Sequence, residues 1–178
     1  MSHTSAREAN LLGTLSLALT DRVEAAVGAC APQGPSAPAA LAALEGYLDG
    51  APIDALSRVL GLTHSGAVRL VDRLAADGLA RRRRGADGRS VAVSLTPAGR
   101  RAAAGIREAR EHALAEALSV LSAGERRALA ELHEKLLAGL TRDRASARRI
   151  CRLCDLVACG HERGTCPVTT AASARADR

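Results

Sequence analysis

Apolar residues recur every three to four positions along much of the chain, which is the spacing of one face of an α-helix. This pattern predicts a long helix over residues 8–29 and a short helix near residues 41–48. It also predicts helices from Pro52 to Leu60 and over residues 64–77. Two long helices are predicted further on, from Pro97 to about Leu121 and then to about Arg149, followed by a frayed tail over 167–178. The chain is therefore predicted to be mainly helical.

The spacing changes between these helices. Residues 91–95 have the two-residue side-chain period of a strand, and a Gly- and Asp-containing turn precedes them, which predicts a β-hairpin over about 79–95. Before it, Gly61-Leu62-Thr63 joins two short helices in the layout of a helix-turn-helix. The predicted fold is mainly α with a small β-hairpin wing: a winged helix-turn-helix embedded in a helical dimerisation frame.

Charge singles out the same part of the chain. The formal net charge is +6, and residues 61–101 alone carry nine basic and three acidic residues. A localised excess of this kind predicts a polyanion-binding face. Aromatic residues make up only 1% of the chain, which argues against stacking of single-stranded bases. Duplex nucleic acid is the better-matched ligand.

The most specific stretch is LTHSGAVRLVDRLAADGLARRRRGADGRSVAVSLTPAGR. It contains the runs RLVDRL and DGL, then DGR and LTPAG, and it resembles the recognition helix, wing and following helix of the MarR family of bacterial transcription regulators. The resemblance extends over roughly residues 8–148. It implies a dimer, and a small-molecule pocket between the dimer frame and the winged domain, often for aromatic acids or phenols.

The candidate DNA-binding residues lie on the predicted recognition helix and wing. An arginine can bridge guanine O6 and N7 in the major groove, and wing arginines suit a narrow minor groove. Asp87 is placed to orient Arg89, which is the part that the resembled family gives to a wing Asp and Arg. In the run 81–84 the first three arginines are better placed for phosphates than for bases. The complete predicted set is Thr63, His64, Ser65, Arg69, Arg73, Arg81, Arg82, Arg83, Arg84, Asp87 and Arg89.

The long helices carry more apolar surface than one small domain can cover. Packed across a two-fold axis they would bury one another, which predicts a homodimer that binds a pseudo-palindromic duplex. We therefore assign residues 1–38 to an N-terminal dimerisation helix and loop, 39–97 to the DNA-binding domain, and 98–149 to C-terminal dimerisation helices.

Residues 150–178 form a cysteine-rich extension outside the usual pattern of that family. Four of the five cysteines lie within 16 residues, and they predict a metal centre held by Cys151, Cys154, Cys159 and Cys166, with His161 as an alternative ligand. Zinc is slightly favoured as the metal. The cluster also resembles the cysteine clusters of MerR-type redox regulators, which implies an iron–sulfur cluster as the alternative. A disulfide or free thiols are further alternatives. Cys30 is predicted to be a buried, inert thiol.

The sequence thus favours a dimeric, sequence-specific repressor of transcription of MarR type, modulated by a small ligand or by a metal or redox centre at the C-terminal cysteines. The alternative is a redox or zinc module that transfers electrons or metal and uses its basic face to dock partners. An enzyme is not expected, because no nucleophile elbow, phosphate loop or convergent carboxylate pair is found. No stretch of 18 apolar residues occurs, so we expect no membrane contact and a cytoplasmic location.

Overall fold

The computed structural model describes residues 5–31, 34–85 and 91–176. Within these ranges the elements run in the following order: α1 (Ala6–Gly28), α2 (Ala37–Gly46), β1 (Ala51–Pro52), α3 (Ile53–Leu60), α4 (His64–Ala76), β2 (Ala80–Arg84), β3 (Val91–Leu95), α5 (Pro97–Leu118), α6 (Ala123–Leu140), α7 (Arg144–Ile150), a 3₁₀ turn (Cys151–Leu153) and α8 (Pro167–Ala176). The predicted fold class is confirmed: a mostly helical chain with a small antiparallel sheet as its wing.

The main core lies between α2, α3, α4 and the sheet, where the leucines of the amphipathic helices converge. Its largest fully buried side chains include Leu41, Leu44, Leu56, Leu70 and Leu74. Gly61 ends α3 with φ +67°, a left-handed conformation that glycine adopts without strain. Thr63 then caps α4 by accepting a hydrogen bond from the Gly66 amide. The helix-turn-helix thus begins and ends where its local sequence predicts.

The sheet has three strands in the order β1-β3-β2, one more than the predicted hairpin. β2 and β3 form the hairpin, with Ala80 opposite Leu95 and Arg84 opposite Val91. The added strand is the two-residue β1, which pairs antiparallel with β3 at the edge of the sheet. Pro52 lacks an amide donor, and an edge strand is the position in a sheet that tolerates this.

Helix α5 is anchored at its start to the exit from α4. Thr96 caps α5 by accepting from the Gly99 amide, and its hydroxyl also donates to the Gly78 carbonyl, 2.6 Å away. A Cβ added at Gly99 would stand 1.9 Å from the Leu79 carbonyl oxygen. Glycine is therefore required here because two backbones approach closely, and this contact fixes the wing relative to the frame.

The frame begins with α1, which packs along α5. Arg22 of α1 donates to the Ala113 carbonyl over 3.0 Å and forms an ion pair with Glu116, both on α5. Beyond this contact the N-terminal half of α1 exposes its leucines. Helix α6 starts at the predicted capping box of Ser122 and Glu125, and none of its described residues is buried. Apolar faces of both helices are thus left uncovered within one chain.

The prediction that this last long helix continues to about Arg149 is wrong. α6 ends at Leu140, and Thr141 takes an extended conformation. Asp143 and Ser146 then form a second capping box, which starts α7 in a new direction. The break allows the C-terminal part of the chain to fold back, so that α7 packs against α3 and α8.

The prediction of a frayed tail is also wrong for residues 167–176, which form α8. Pro167 stands at its first position, where a missing amide costs nothing. α8 packs against α6 and α7, and Val168 and Ala172 are buried. Across the described residues, no helix combines the length and hydrophobicity needed to cross a bilayer.

Candidate functional site

Helix α4 has one apolar and one polar face. Its apolar residues Ala67, Leu70, Val71 and Leu74 are buried in the core. The predicted contact residues lie on the opposite side and are exposed: Thr63, His64, Ser65, Arg69 and Arg73. The structure therefore brings these five predicted residues together on one open surface, which we call the α4 face.

His64 also links the two helices of the helix-turn-helix. Its Nδ1 lies 2.6 Å from the Asp54 carboxylate in the first turn of α3. Sequence reasoning did not anticipate Asp54, since its distance of ten residues from His64 matches no local motif. The contact fixes the His64 ring at the start of α4, next to Thr63 and Ser65, whose hydroxyls are 3.3 Å apart.

Strand β2 runs beside α4 and exposes all four of its arginines, Arg81–Arg84. One of them is tied to α4, because the Arg82 guanidinium lies 2.5 Å from the Asp72 carboxylate of that helix. This pair was not predicted, and both side chains are about half exposed. Arg73 and Arg84 have further interactions within the chain. The predicted wing-tip residues Asp87 and Arg89 lie outside the described residues.

The four C-terminal cysteines form a second cluster, defined by Cys151, Cys154, Cys159 and Cys166. The sulfurs of Cys159 and Cys166 are 3.4 Å apart. Cys154 also interacts electrostatically with Cys151 and Cys159, and Cys151 interacts with Cys166. All four thiols are free. The structure thus brings all four predicted ligands near one another, and we call this group the thiol cluster.

These contacts move the pKa values of the thiols in opposite directions. The hydrogen bond between Cys151 and Cys154 lowers the pKa of Cys151 and raises that of Cys154, and burial raises the latter further. Burial, followed by the contact with Cys166, raises the pKa of Cys159 to about 12. Burial also acts to raise the pKa of Cys166, but hydrogen bonds from Thr169 outweigh it and the pKa is lowered.

A cavity of about 310 Å³ adjoins the thiol cluster, between α7, α8 and the end of α2. Cys151, Tyr47, Arg144, Arg148 and His161 are among the residues that line it. The Tyr47 hydroxyl donates to the Arg148 carbonyl over 2.9 Å, and burial raises the pKa of Tyr47 to about 12.

His161, the alternative ligand predicted from sequence, points its Nδ1 to the Thr169 hydroxyl 2.9 Å away. Across residues 5–31, 34–85 and 91–176, no three His, Cys, Asp or Glu side chains already stand in a metal-ligating arrangement. The predicted metal centre therefore stays a prediction, with the four thiols as its best-placed donors.

Cys30 differs from the expectation of a buried thiol. It follows the end of α1 and is exposed, with its sulfur 3.8 Å from each of the Ala26 and Gly105 carbonyl oxygens. The prediction of a buried thiol is wrong. It rested on the lack of positively charged neighbours in the sequence, which does not decide burial, and the turn after α1 leaves Cys30 at the surface between the buried Val27 and Ala31.

This arrangement of α2, a helix-turn-helix and a three-stranded wing defines a winged-helix protein. A model of the MarR family matches residues 34–90. A probable transcriptional regulator from Pseudomonas aeruginosa is 30% identical, with 70% of this chain and 96% of that chain covered and a TM-score of 0.54. A MarR-family transcriptional regulator from Silicibacter pomeroyi is 29% identical, with 71% and 87% covered and a TM-score of 0.55.

The multidrug efflux regulator MepR from Staphylococcus aureus shares the fold at 18% identity, with 78% of this chain and 99% of that chain covered and a TM-score of 0.65. A comparison with curated protein sequences gives no match. The chain belongs to the MarR family, whose members are transcription regulators and not enzymes.

Proposed function

We propose that this protein is a homodimeric, sequence-specific DNA-binding repressor of transcription, whose DNA affinity is modulated through its C-terminal part. The observation that carries the proposal is the α4 face beside the arginines of β2. An exposed helix with Arg69 and three small polar or imidazole side chains at its N-terminal half fits the major groove. The adjacent arginines supply the phosphate contacts that such docking requires.

Arg69 is the residue best placed to distinguish bases. It lies one turn into α4, and its neighbours Ala67 and Leu70 are buried, so the helix is held firmly against the core while Arg69 is free to extend outward. Arg81 and Arg83 are exposed on β2, where they can contact the backbone. The Asp72–Arg82 pair supports this role by holding β2 against α4, so that the two surfaces can engage DNA together.

The homodimer is supported by the uncovered apolar faces of the frame. Leu11, Leu12 and Leu15 of α1 are each about half exposed, as are Leu132 and Leu136 of α6. Burying the exposed half of each leucine contributes roughly 1 kcal/mol to association. A two-fold arrangement of these helices would cover both faces and place two α4 faces side by side, which suits a pseudo-palindromic operator.

Modulation by a small molecule is supported by the cavity next to the thiol cluster. Its wall combines the apolar Leu156 and Ala172 with Arg144, Arg148 and the Tyr47 ring, a set that favours an anionic ligand with an apolar body. CouR from Rhodococcus jostii RHA1, a structural relative at 19% identity with a TM-score of 0.54, has been crystallised with p-coumaroyl-CoA.

The proposal is tested by selecting duplexes from random-sequence DNA with the full chain and measuring their affinity by fluorescence anisotropy. The selected sites are expected to be pseudo-palindromic, and affinity should fall steeply with salt because phosphate contacts release counterions. Arg69→Ala should cost about 1–3 kcal/mol at one position in each half-site and relax the base preference there.

The matched control is Arg127→Ala, which removes an exposed arginine of α6 and should leave affinity and base preference unchanged. A chain that enriches no sequence, or an Arg69→Ala variant that loses affinity equally for selected and random duplexes, would contradict direct reading of bases by α4.

A further inference from the structure

The thiol cluster is assembled from two separate pieces of chain. Cys151 and Cys154 lie on a tight turn closed by a hydrogen bond from the Cys154 amide to the Cys151 carbonyl, 2.9 Å long. Cys159 and Cys166 approach from the other side of a loop, with their sulfurs 3.4 Å apart. Four sulfurs around one ion at the usual zinc–sulfur bond length stand about 3.8 Å from one another. The observed separation differs from this by only a few tenths of an ångström.

The loop between the two pieces is held by groups that do not depend on the thiols. The Asp155 carboxylate accepts from the amides of Val157 and Ala158, each over 2.9 Å. Gly160 and Gly164 have φ near +70° and allow the two turns that bring Cys166 back. The backbone of the loop is therefore ordered without an ion, so that binding needs only side-chain adjustment of the cysteines, which lowers its entropy cost.

Cys166 directly precedes the first residue of α8, and it is the buried member of the thiol cluster. A sulfur next to the positive end of a helix is well placed to carry the negative charge that a metal-bound sulfur retains. Arg110 on α5 adds a positive charge near Cys154.

We propose that the thiol cluster is a binding site for one thiophilic divalent cation, zinc above others, held by all four sulfurs. On binding, each of four S–H bonds is exchanged for a sulfur–metal bond and four protons pass to solvent, which leaves a centre of charge −2. His161 is not needed as a ligand, since its ring is bonded to Thr169. This deepens the choice left open by the sequence, because the 3.4 Å separation of the Cys159 and Cys166 sulfurs fits two ligands of one ion.

The site is attached directly to the winged helix. Leu153 packs against the main core, and Leu156 lies against Gly46 at the end of α2, 3.2 Å from a Cβ placed there. The Arg107 guanidinium of α5 links α2 to the loop of the thiol cluster. It lies 2.9 Å from the Glu45 carboxylate of α2 and 3.6 Å from the Asp155 carboxylate of the loop. A metal at the thiol cluster would therefore stabilise this whole junction.

The neighbouring α7 extends the connection to the helix-turn-helix. Its residue Arg149 lies over the turn between α3 and α4, where a Cβ added at Gly61 would be 2.7 Å from the guanidinium. Since Cys151 directly follows α7, an occupied site holds Arg149 in place at this turn. This coupling depends on the proposed DNA binding. Given that binding, the geometry points to a metal-bound form that binds DNA more tightly than the metal-free form.

The metal site is tested by titrating reduced, metal-free full-length protein with Co²⁺ under nitrogen, followed by Zn²⁺. One Co²⁺ per chain, with the visible absorption of tetrahedral thiolate coordination and complete displacement by Zn²⁺, is expected. Cys159→Ser and Cys166→Ser should each weaken binding by at least about tenfold, whereas Cys30→Ser should bind as the parent does. Absence of Co²⁺ binding, or equal binding by Cys159→Ser, would overturn the site.

Two further results would also overturn it: an iron–sulfur chromophore in anaerobically purified protein, and a Cys159–Cys166 disulfide in protein purified from metal-replete cells. Hydrogen exchange of the unsubstituted protein provides a readout that does not depend on variants folding. Zn²⁺ should protect the amides of residues 144–170 and leave those of α4 unchanged, and unchanged exchange over 144–170 would contradict the site.

The coupling is tested by measuring the affinity of both forms for a selected duplex. The Zn²⁺ form is expected to bind about fivefold more tightly or better, the lower end of ordinary allosteric coupling. Equal affinities would overturn the coupling and leave the metal site standing. A chain that binds no duplex in either form would refute the proposed function instead, while the Co²⁺ titration would still decide the metal site.

Discussion

The winged helix and α6 contain similarly spaced leucines, yet those of the winged helix are buried and those of α6 are exposed. Leu70 and Leu74 of α4 are fully buried, whereas Leu132 of α6 is 54% exposed and Leu136 is 47% exposed. The winged helix has a sheet and three helices to close over its apolar faces, while α6 contacts chiefly α8. The comparison teaches that periodicity identifies an apolar face but not the surface that covers it, which for α6 we propose to be a second copy of the chain.

The largest effect should come from the buried side of this comparison. Leu74→Ala removes a side chain with no exposed surface and should lower the free energy of unfolding by about 2–5 kcal/mol, since the cavity adds to the lost transfer energy. Urea denaturation of each variant measures it. Leu132→Ala is the matched control in α6, and at low protein concentration it should cost much less. Equal losses would show that α6 is buried within a single chain.

The exposed side should respond to protein concentration. Leu15 lies on the apolar stripe of α1, and Leu17 lies about 160° away around the same helix, so Leu15→Ser and Leu17→Ser form a matched pair of variants. Because each substitution occurs twice in a two-fold dimer, Leu15→Ser should raise the dissociation constant of the dimer by at least about tenfold, equal to 1.4 kcal/mol. Leu17→Ser should have little effect. Sedimentation equilibrium decides this, and identical dissociation constants for the two variants would remove α1 from the interface.

Helix α5, which joins the two regions, allows a finer test with two glycines. Gly99→Ala places a methyl group against the Leu79 carbonyl and should lower the free energy of unfolding by about 1–3 kcal/mol. Gly105 lies mid-helix with no atom within 4 Å of an added Cβ, so Gly105→Ala should raise it by about 0.5–1 kcal/mol. Thermal unfolding followed by circular dichroism compares the two. A stabilising Gly99→Ala would refute the close approach of α5 to the wing.

Sequence was sufficient where structure depends on local chemistry. The Thr63 cap, the capping box of Ser122 and Glu125, and the Thr96-Pro97 start of α5 lie where their residues predict, because each involves bonds over three residues. The exposed polar side of α4 follows in the same way from its apolar spacing. The four cysteines of the thiol cluster were identified because they lie close together in the sequence.

Sequence was insufficient where the deciding contact is distant. β1 is two residues long and exists only because β3 lies beside it. The pairs His64–Asp54 and Arg82–Asp72 depend on how α3, α4 and β2 pack. The end of α6 could have been found, since Asp143 and Ser146 form a capping signal, but leucine periodicity concealed it. The packing of the thiol-cluster loop against the end of α2 could not be predicted either, because no local sequence pattern indicates it.

The central claim is that the α4 face and β2 together form the DNA-binding surface, and hydrogen exchange with and without a selected duplex tests it most directly. Binding should slow exchange of the amides in residues 63–76 and 80–85, while those in residues 123–140 should exchange at an unchanged rate. Protection confined to α6 or α8, with residues 63–76 unaffected by saturating duplex, would contradict the account.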